Sequence, residues 1–123
     1  MARDESLVLL YGTLKVGYFN YELHLKGALP IDSRRLELPY EMYENGEYPM
    51  LVPSAERHSI WVELFEVDAV KLRELDELEA PYGYWRETVL LQELSREAEI
   101  YVHAAPPPSG FTRVASGHWP RLR

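Results

Sequence analysis

Residues 58–79, HSIWVELFEVDAVKLRELDELE, change period in mid-course. His58 to Val67 mixes β-branched and aromatic residues with little polar alternation, the pattern of a central strand covered on both sides. Asp68 then suits an N-cap, and Ala69 to Glu79 is built from strong helix formers until Pro81 and Gly83 break it. Upstream, the apolar run Ser6 to Tyr11 stops at Gly12 and predicts another strand buried on both faces. The spacing from Tyr18 to Lys26 predicts a short helix ending at Gly27. Arg34 to Tyr43 and Tyr48 to Val52 flank Glu44-Asn45-Gly46, where Asn-Gly supplies the positive-φ positions of a tight hairpin. Downstream, Tyr84 to Leu91 and Ala98 to His103 read as two strands, with the polar stretch Glu93 to Glu97 as their hairpin. Pro106 to Gly110 cannot continue a ladder, so the residues from Phe111 onward form a tail that Phe111 and Trp119 pin to the body. Many strands, two short helices and no regular βαβ alternation predict an α+β fold with a mainly antiparallel, barrel-like sheet.

Composition narrows the function. A chain of 123 residues that is 46% apolar has material for one core, so residues 1–123 are expected to form a single domain. Thirteen basic against twenty acidic residues leave a net charge of −7, which disfavours nucleic acid and anionic membrane surfaces as partners. The apolar runs are far shorter than the roughly 20 residues of a membrane span, and the acidic start Ala2-Arg3-Asp4-Glu5 lacks the basic region of a signal peptide, so a cytoplasmic location is expected. With no cysteine, thiol nucleophiles and thiolate metal sites are excluded. His24, His58, His103 and His118 include no metal-binding spacing, and Gly12-Thr-Leu-Lys15 lacks the order of a phosphate loop. No Gly-x-Ser-x-Gly elbow occurs. No metal or cofactor is implied.

Two places invite chemistry. Gly12, just past a buried strand, suits either a plain strand-ending turn or a loop whose successive N–H groups capture an anion. On the helix, a rotation of about 100° per residue with Leu72 at zero puts Leu75 at about −60°, Leu78 at about −120° and Ala69 at about +60°. Glu79 falls at about −20°, on the apolar face, while Glu74 and Glu77 fall on the solvent side. A carboxylate projecting from the core face is either partnered, for example by Arg86, or held in a semi-apolar pocket with a raised pKa.

Taken together, the two sites resemble the γ-glutamylcyclotransferase-like family, which includes γ-glutamylamine cyclotransferases and the plant avirulence-induced-gene proteins. The opening Tyr-Gly-Ser/Thr-Leu, with its following glycine and asparagine, is matched by Tyr11, Gly12, Thr13, Leu14, Gly17 and Asn20. Gly46, Tyr48 and Pro49 match a Gly-x-Tyr-Pro segment, and Leu64 to Asp68 match Leu-Tyr/Phe-Glu-Val-Asp. The most specific block, Leu-Asp-x-x-Glu followed by Tyr-x-Arg, is met by Leu75 to Glu79 with Tyr84 and Arg86. Ile100-Tyr101-Val102 and Ser116-Gly117-x-Trp119 also fit. The resemblance implies a small, mostly antiparallel β-barrel with flanking short helices and a cavity at one end. It implies a cyclotransferase reaction on a small γ-glutamyl compound, in which the α-amino group attacks the γ-carbonyl and 5-oxoproline is released with an amine or amino acid. Glu79 would be the catalytic acid/base, and Tyr11, Gly12, Thr13, Leu14, Tyr84 and Arg86 would contact substrate. One departure stands out: where relatives often carry a glycine before the Leu-Phe-Glu-Val strand end, this chain has Trp61-Val62-Glu63. That change suggests a narrower cavity or a different substrate, or a non-catalytic module of the same fold that binds a small ligand or a protein.

Overall fold

The computed structural model describes residues 5–12, 25 and 29–119. The helix expected over Tyr18 to Lys26 lies outside them, apart from Leu25, which is buried. Among the described residues six strands follow in chain order: β1 (Glu5–Leu10), β2 (Asp32–Glu44), β3 (Pro49–Asp68), β4 (Trp85–Leu91), β5 (Arg96–Val102) and β6 (Thr112–Arg113). The helix α1 (Ala69–Glu79) and a 3₁₀ turn (Ala80–Tyr82) lie between β3 and β4. The sheet order is β4-β5-β1-β3-β2-β6. β1 pairs with β5 in parallel, and every other neighbouring pair is antiparallel.

β1 sits in mid-sheet with both faces covered, as its unbroken apolar run requires. Leu7 and Leu9 face an inner core with Leu38, Met42, Leu64 and Ile100, whereas Val8 and Leu10 face an outer core with Phe65, Leu72, Leu75 and Tyr101 beneath α1. The sheet curls into a half-barrel, so that β2 reaches β4 and the turn that follows it: the Tyr40 hydroxyl donates to Glu87 of β4 at 2.7 Å, and the Glu37 backbone N–H donates to the Glu93 carboxylate in that turn at 2.9 Å.

The structure corrects the expected strand boundaries in four places. The segments around Val52 and His58 are one strand of twenty residues, not two. Its register against β2 slips between Leu38 opposite His58 and Tyr40 opposite Pro53. Pro39 and Pro53 cannot donate to a ladder, which makes this the natural place for a bulge. The β2–β3 turn is longer than a two-residue hairpin, with Glu44 paired to Pro49. Gly46 alone takes a positive φ there, of 95°; Asn45 serves through its side chain, accepting from the N–H groups of Glu47 and Tyr48 at 2.9 Å. Arg96 and Glu97 belong to β5, not to the hairpin, because the turn closes where Leu91 pairs with Arg96. The tail adds the short strand β6 beside β2, then buries Trp119 in the inner core, while Phe111 packs edge-on against Tyr48.

The helix begins and ends where expected, and Asp68 caps it by accepting from the Lys71 N–H at 2.8 Å. Asp68→Ala should lower stability by about 1 kcal/mol, read as a lower denaturation midpoint with an unchanged slope.

Candidate active site

α1 buries Leu72 and Leu75 and leaves Val70, Glu74 and Glu77 exposed, so the helical rotation turns Glu79 toward the body, where it is half-buried. Beyond the 3₁₀ turn, Gly83 reverses the chain with a φ of 88°, and the Tyr84 N–H returns to the Glu79 carbonyl at 3.4 Å.

Three tyrosines surround this carboxyl electrostatically: Tyr11 after β1, Tyr84 before β4 and Tyr101 on β5. Each hydroxyl has a fixed acceptor elsewhere. Tyr11 donates to the Tyr101 carbonyl at 2.6 Å and accepts from the Leu51 N–H at 3.3 Å. Tyr84 donates to the Pro49 carbonyl at 2.9 Å, and Tyr101 to Asp76 at 2.7 Å. Burial is the main force raising all three phenols, with the Glu79 charge a further contribution, so they stay protonated donors at neutral pH. Glu79 itself is pushed up to about 7 by burial. Neither a cation nor a hydrogen-bond donor among the described residues opposes that push. A carboxyl with a midpoint near neutrality can take a proton and return it.

Gly12 has a packing reason to lack a side chain. Its φ lies outside the left-handed region, so conformational freedom is not what it provides. A Cβ here would stand 3.0 Å from Pro49 Cγ and 3.1 Å from its Cδ. The absent side chain therefore lets the end of β1 lie against the start of β3. Thr13 and Leu14 are outside the described residues. Gly12→Val should displace Pro49, the acceptor of Tyr84, and lower kcat/KM more than tenfold, beyond any loss explained by the folded fraction in a thermal melt.

Arg86 does not pair with Glu79. Its Nε and Nη2 hold the two oxygens of Asp76 at 2.8 and 3.1 Å, and its Nη1 holds Glu99 at 2.7 Å, where Thr88 also donates. The Asp76 bond is the largest cause raising the guanidinium further above its ordinary value. Arg86 thus ties β4 and β5 to the helix, and with Asp76, Ala80, Tyr84, Trp85 and Tyr101 it lines a pocket of about 250 Å³. Asp76 was legible by the same rotation as Glu79, because it falls about 40° from Leu72, on the apolar stripe. The carbonyls of Pro49 and Tyr101 have no side-chain signature to betray their role. Trp61 packs against Arg35 and His118, beside the tail, and only its neighbour Val62 faces the inner core. Among the described residues no three His, Asp or Glu side chains converge to hold a metal ion, and no helix is long and apolar enough to cross a membrane.

A half-barrel with an isolated carboxyl beside a Tyr-Gly strand end defines the class. The family described as Gamma-glutamyl cyclotransferase, AIG2-like, matches residues 8–121, and the chain belongs to it. A protein of Methanocaldococcus jannaschii that carries a provisional gamma-glutamylcyclotransferase name is 30% identical over 118 residues, which cover 94% of this chain and 97% of that protein. Among solved structures, an uncharacterized protein from Pyrococcus horikoshii superposes with a TM-score of 0.72 at 26% identity, covering 92% of this chain and 88% of its own. An AIG2-like protein from Mus musculus has the same fold, with a TM-score of 0.68 at 22% identity and coverage of 96% and 90%.

Proposed function

We propose that this chain is a cyclotransferase that converts a small γ-glutamyl compound to 5-oxoproline and an amine or amino acid, with Glu79 as its acid/base. The observation that carries the proposal is the half-buried Glu79 carboxyl, unpaired among the described residues and raised to about 7. The substrate's α-ammonium gives a proton to the Glu79 carboxylate, and the freed amine attacks the γ-carbonyl carbon. Glu79 then returns the proton to the departing nitrogen as the γ-carbon to nitrogen bond breaks. The ring nitrogen sheds a second proton as it becomes the amide of 5-oxoproline, and the released amine takes that proton up to leave as an ammonium, so the cycle balances. Closure of a five-membered ring supplies its own proximity. The backbone N–H groups from Gly12 onward are the proposed grip on the α-carboxylate or on the developing oxyanion. Tyr84 forms a wall of the site. Arg86, for which the resemblance implies a substrate contact, acts in this proposal through Asp76 and Glu99.

The test is 5-oxoproline release across a panel of γ-glutamyl amines, amino acids and peptides. With Glu79 at about 7, the basic form is lost on acidification, so kcat/KM should fall with unit slope below about pH 7. Absence of 5-oxoproline from the whole panel, with protein that melts cooperatively, would overturn the proposal.

A further inference from the structure

His103 stands one residue beyond β5, and neither the expected mechanism nor the resemblance uses it. Its N–H donates to the Leu51 carbonyl at 2.8 Å, and Leu51 also donates to the Tyr11 hydroxyl. Its ring meets Tyr84 edge to face, with centroids 5.7 Å apart and planes at 84°. A Cβ on Gly83 would lie 2.7 Å from His103 Nε2, so the ring fills the space above the corner that joins the helix end to Tyr84.

The Glu79 carboxyl has no donor among the described residues to fix it, so its surroundings depend on how the neighbouring rings pack. Tyr84 is the ring most exposed to loosening, because it is half-buried where Tyr11 is buried. Three contacts hold it: the hydroxyl on Pro49, the backbone return to Glu79 through the Gly83 corner, and the His103 ring. His103 contributes to the last two at once. We infer that His103 is a positioning residue, which clamps the Gly83-Tyr84 corner so that the Tyr84 ring shields the Glu79 carboxyl from water. Among the described residues, the groups facing Glu79 are Tyr11 just past β1, Tyr84 from the corner and Tyr101 from β5. Asp76 lies one turn back on its own helix, bound to Arg86 of β4. None of them has to change its charge for this clamp to act.

The inference rests on the acid/base reading of Glu79, yet its primary test needs no turnover. The Glu79 side-chain carboxyl is titrated by carbon-13 NMR in the wild type, His103→Ala and His103→Phe, beside thermal melts and the pH dependence of kcat/KM. In His103→Ala, water admitted beside Tyr84 should bring the carboxyl midpoint down by about one pH unit toward its ordinary value. The acid limb of kcat/KM should move by the same amount, with kcat/KM at its plateau lowered about tenfold. His103→Phe keeps a ring against Tyr84 and should restore both values to near wild type. Should the alanine variant fail to fold, His103→Gln, of similar reach but without a ring, carries the same expectation. A lowered melting temperature with an unmoved Glu79 titration overturns the inference, and so does an equal displacement in the phenylalanine variant. Full activity of a Glu79→Gln protein would instead overturn the acid/base reading, and leave the titration result standing on its own.

Discussion

Glu79→Gln should lower turnover by roughly 10²–10⁴ while the protein stays folded. Glutamine keeps the size and polarity of the side chain but neither accepts nor delivers the proton that the ring closure moves. Glu77→Gln is the matched control, since Glu77 lies on the exposed face of the same helix, and it should change activity little. A stable Glu79→Gln protein that still makes 5-oxoproline at the wild-type rate would end the catalytic assignment.

Stability supplies a second, independent reading of the same variant, because a carboxyl raised on folding is linked to pH in a definite direction. Glu79 stands at about 7 in the folded chain against an ordinary value of 4.5. Folding therefore favours the protonated form. The stability this contributes is fully present below about pH 4.5 and is lost as pH rises through about 7. At pH 8 the wild type carries the cost of a buried carboxylate, at most roughly 3 kcal/mol for such a displacement. Glutamine does not ionise, so Glu79→Gln should melt higher than wild type at pH 8, with the gap closing toward pH 4.5. A structural ion pair with Arg86 would have the opposite consequence, a loss of stability on substitution at neutral pH. The geometry already opposes that pairing, since Asp76 and Glu99 occupy the guanidinium.

The contrast between Glu79 and Arg86 marks how far local pattern reaches. Helix limits, the cap at Asp68 and the inward turn of Glu79 follow from periodicity and short-range chemistry, and all were legible in one stretch of sequence. The pairing of Arg86 was not, because the rotation shows the face of Asp76 but not its partner, and Glu99 reaches Arg86 only through the cross-strand neighbourhood of β4 and β5. The phenol acceptors are harder still. Tyr11 and Tyr84 end on the carbonyls of Tyr101 and Pro49, and a carbonyl is present at every residue, so nothing in the sequence distinguishes these two. Gly12 shows a related limit. The missing side chain at Gly12 accommodates the approach of Pro49, a contact made across 37 positions of chain, rather than a left-handed turn conformation of its own. The continuous β3 was hidden for a different reason: Pro53 and the small or charged residues Ser54 to Arg57 have the composition of a loop, and a bulge opposite Pro39 carries them within the strand.

The largest stability loss is expected far from Glu79, at Gly117→Ala. Gly117 is buried, with a φ of 70°, and its carbonyl accepts from the Trp61 N–H at 2.8 Å. A Cβ there would fall inside the Ser59 carbonyl oxygen and 3.0 Å from its carbon. Both obstacles are backbone of β3, a central strand held by β1 and β2, so neither can rotate away. The tail must lift instead. Lifting it breaks the bond to Trp61 and draws on Trp119, which is 2% exposed in the inner core two residues later. The left-handed conformation adds about 1–2 kcal/mol for a residue with a side chain, and overpacking about 1–3 kcal/mol, so a total of about 2–5 kcal/mol is expected. That is a large share of the roughly 5–15 kcal/mol that holds a domain folded. Gly110→Ala isolates the conformational part, because Gly110 has a φ of 93° with nothing within 4 Å of the added carbon. Chemical denaturation of the two variants beside wild type gives the packing cost by difference. A Gly117→Ala midpoint no lower than that of Gly110→Ala would mean that the tail yields freely, and that Trp119 is not anchored through this contact.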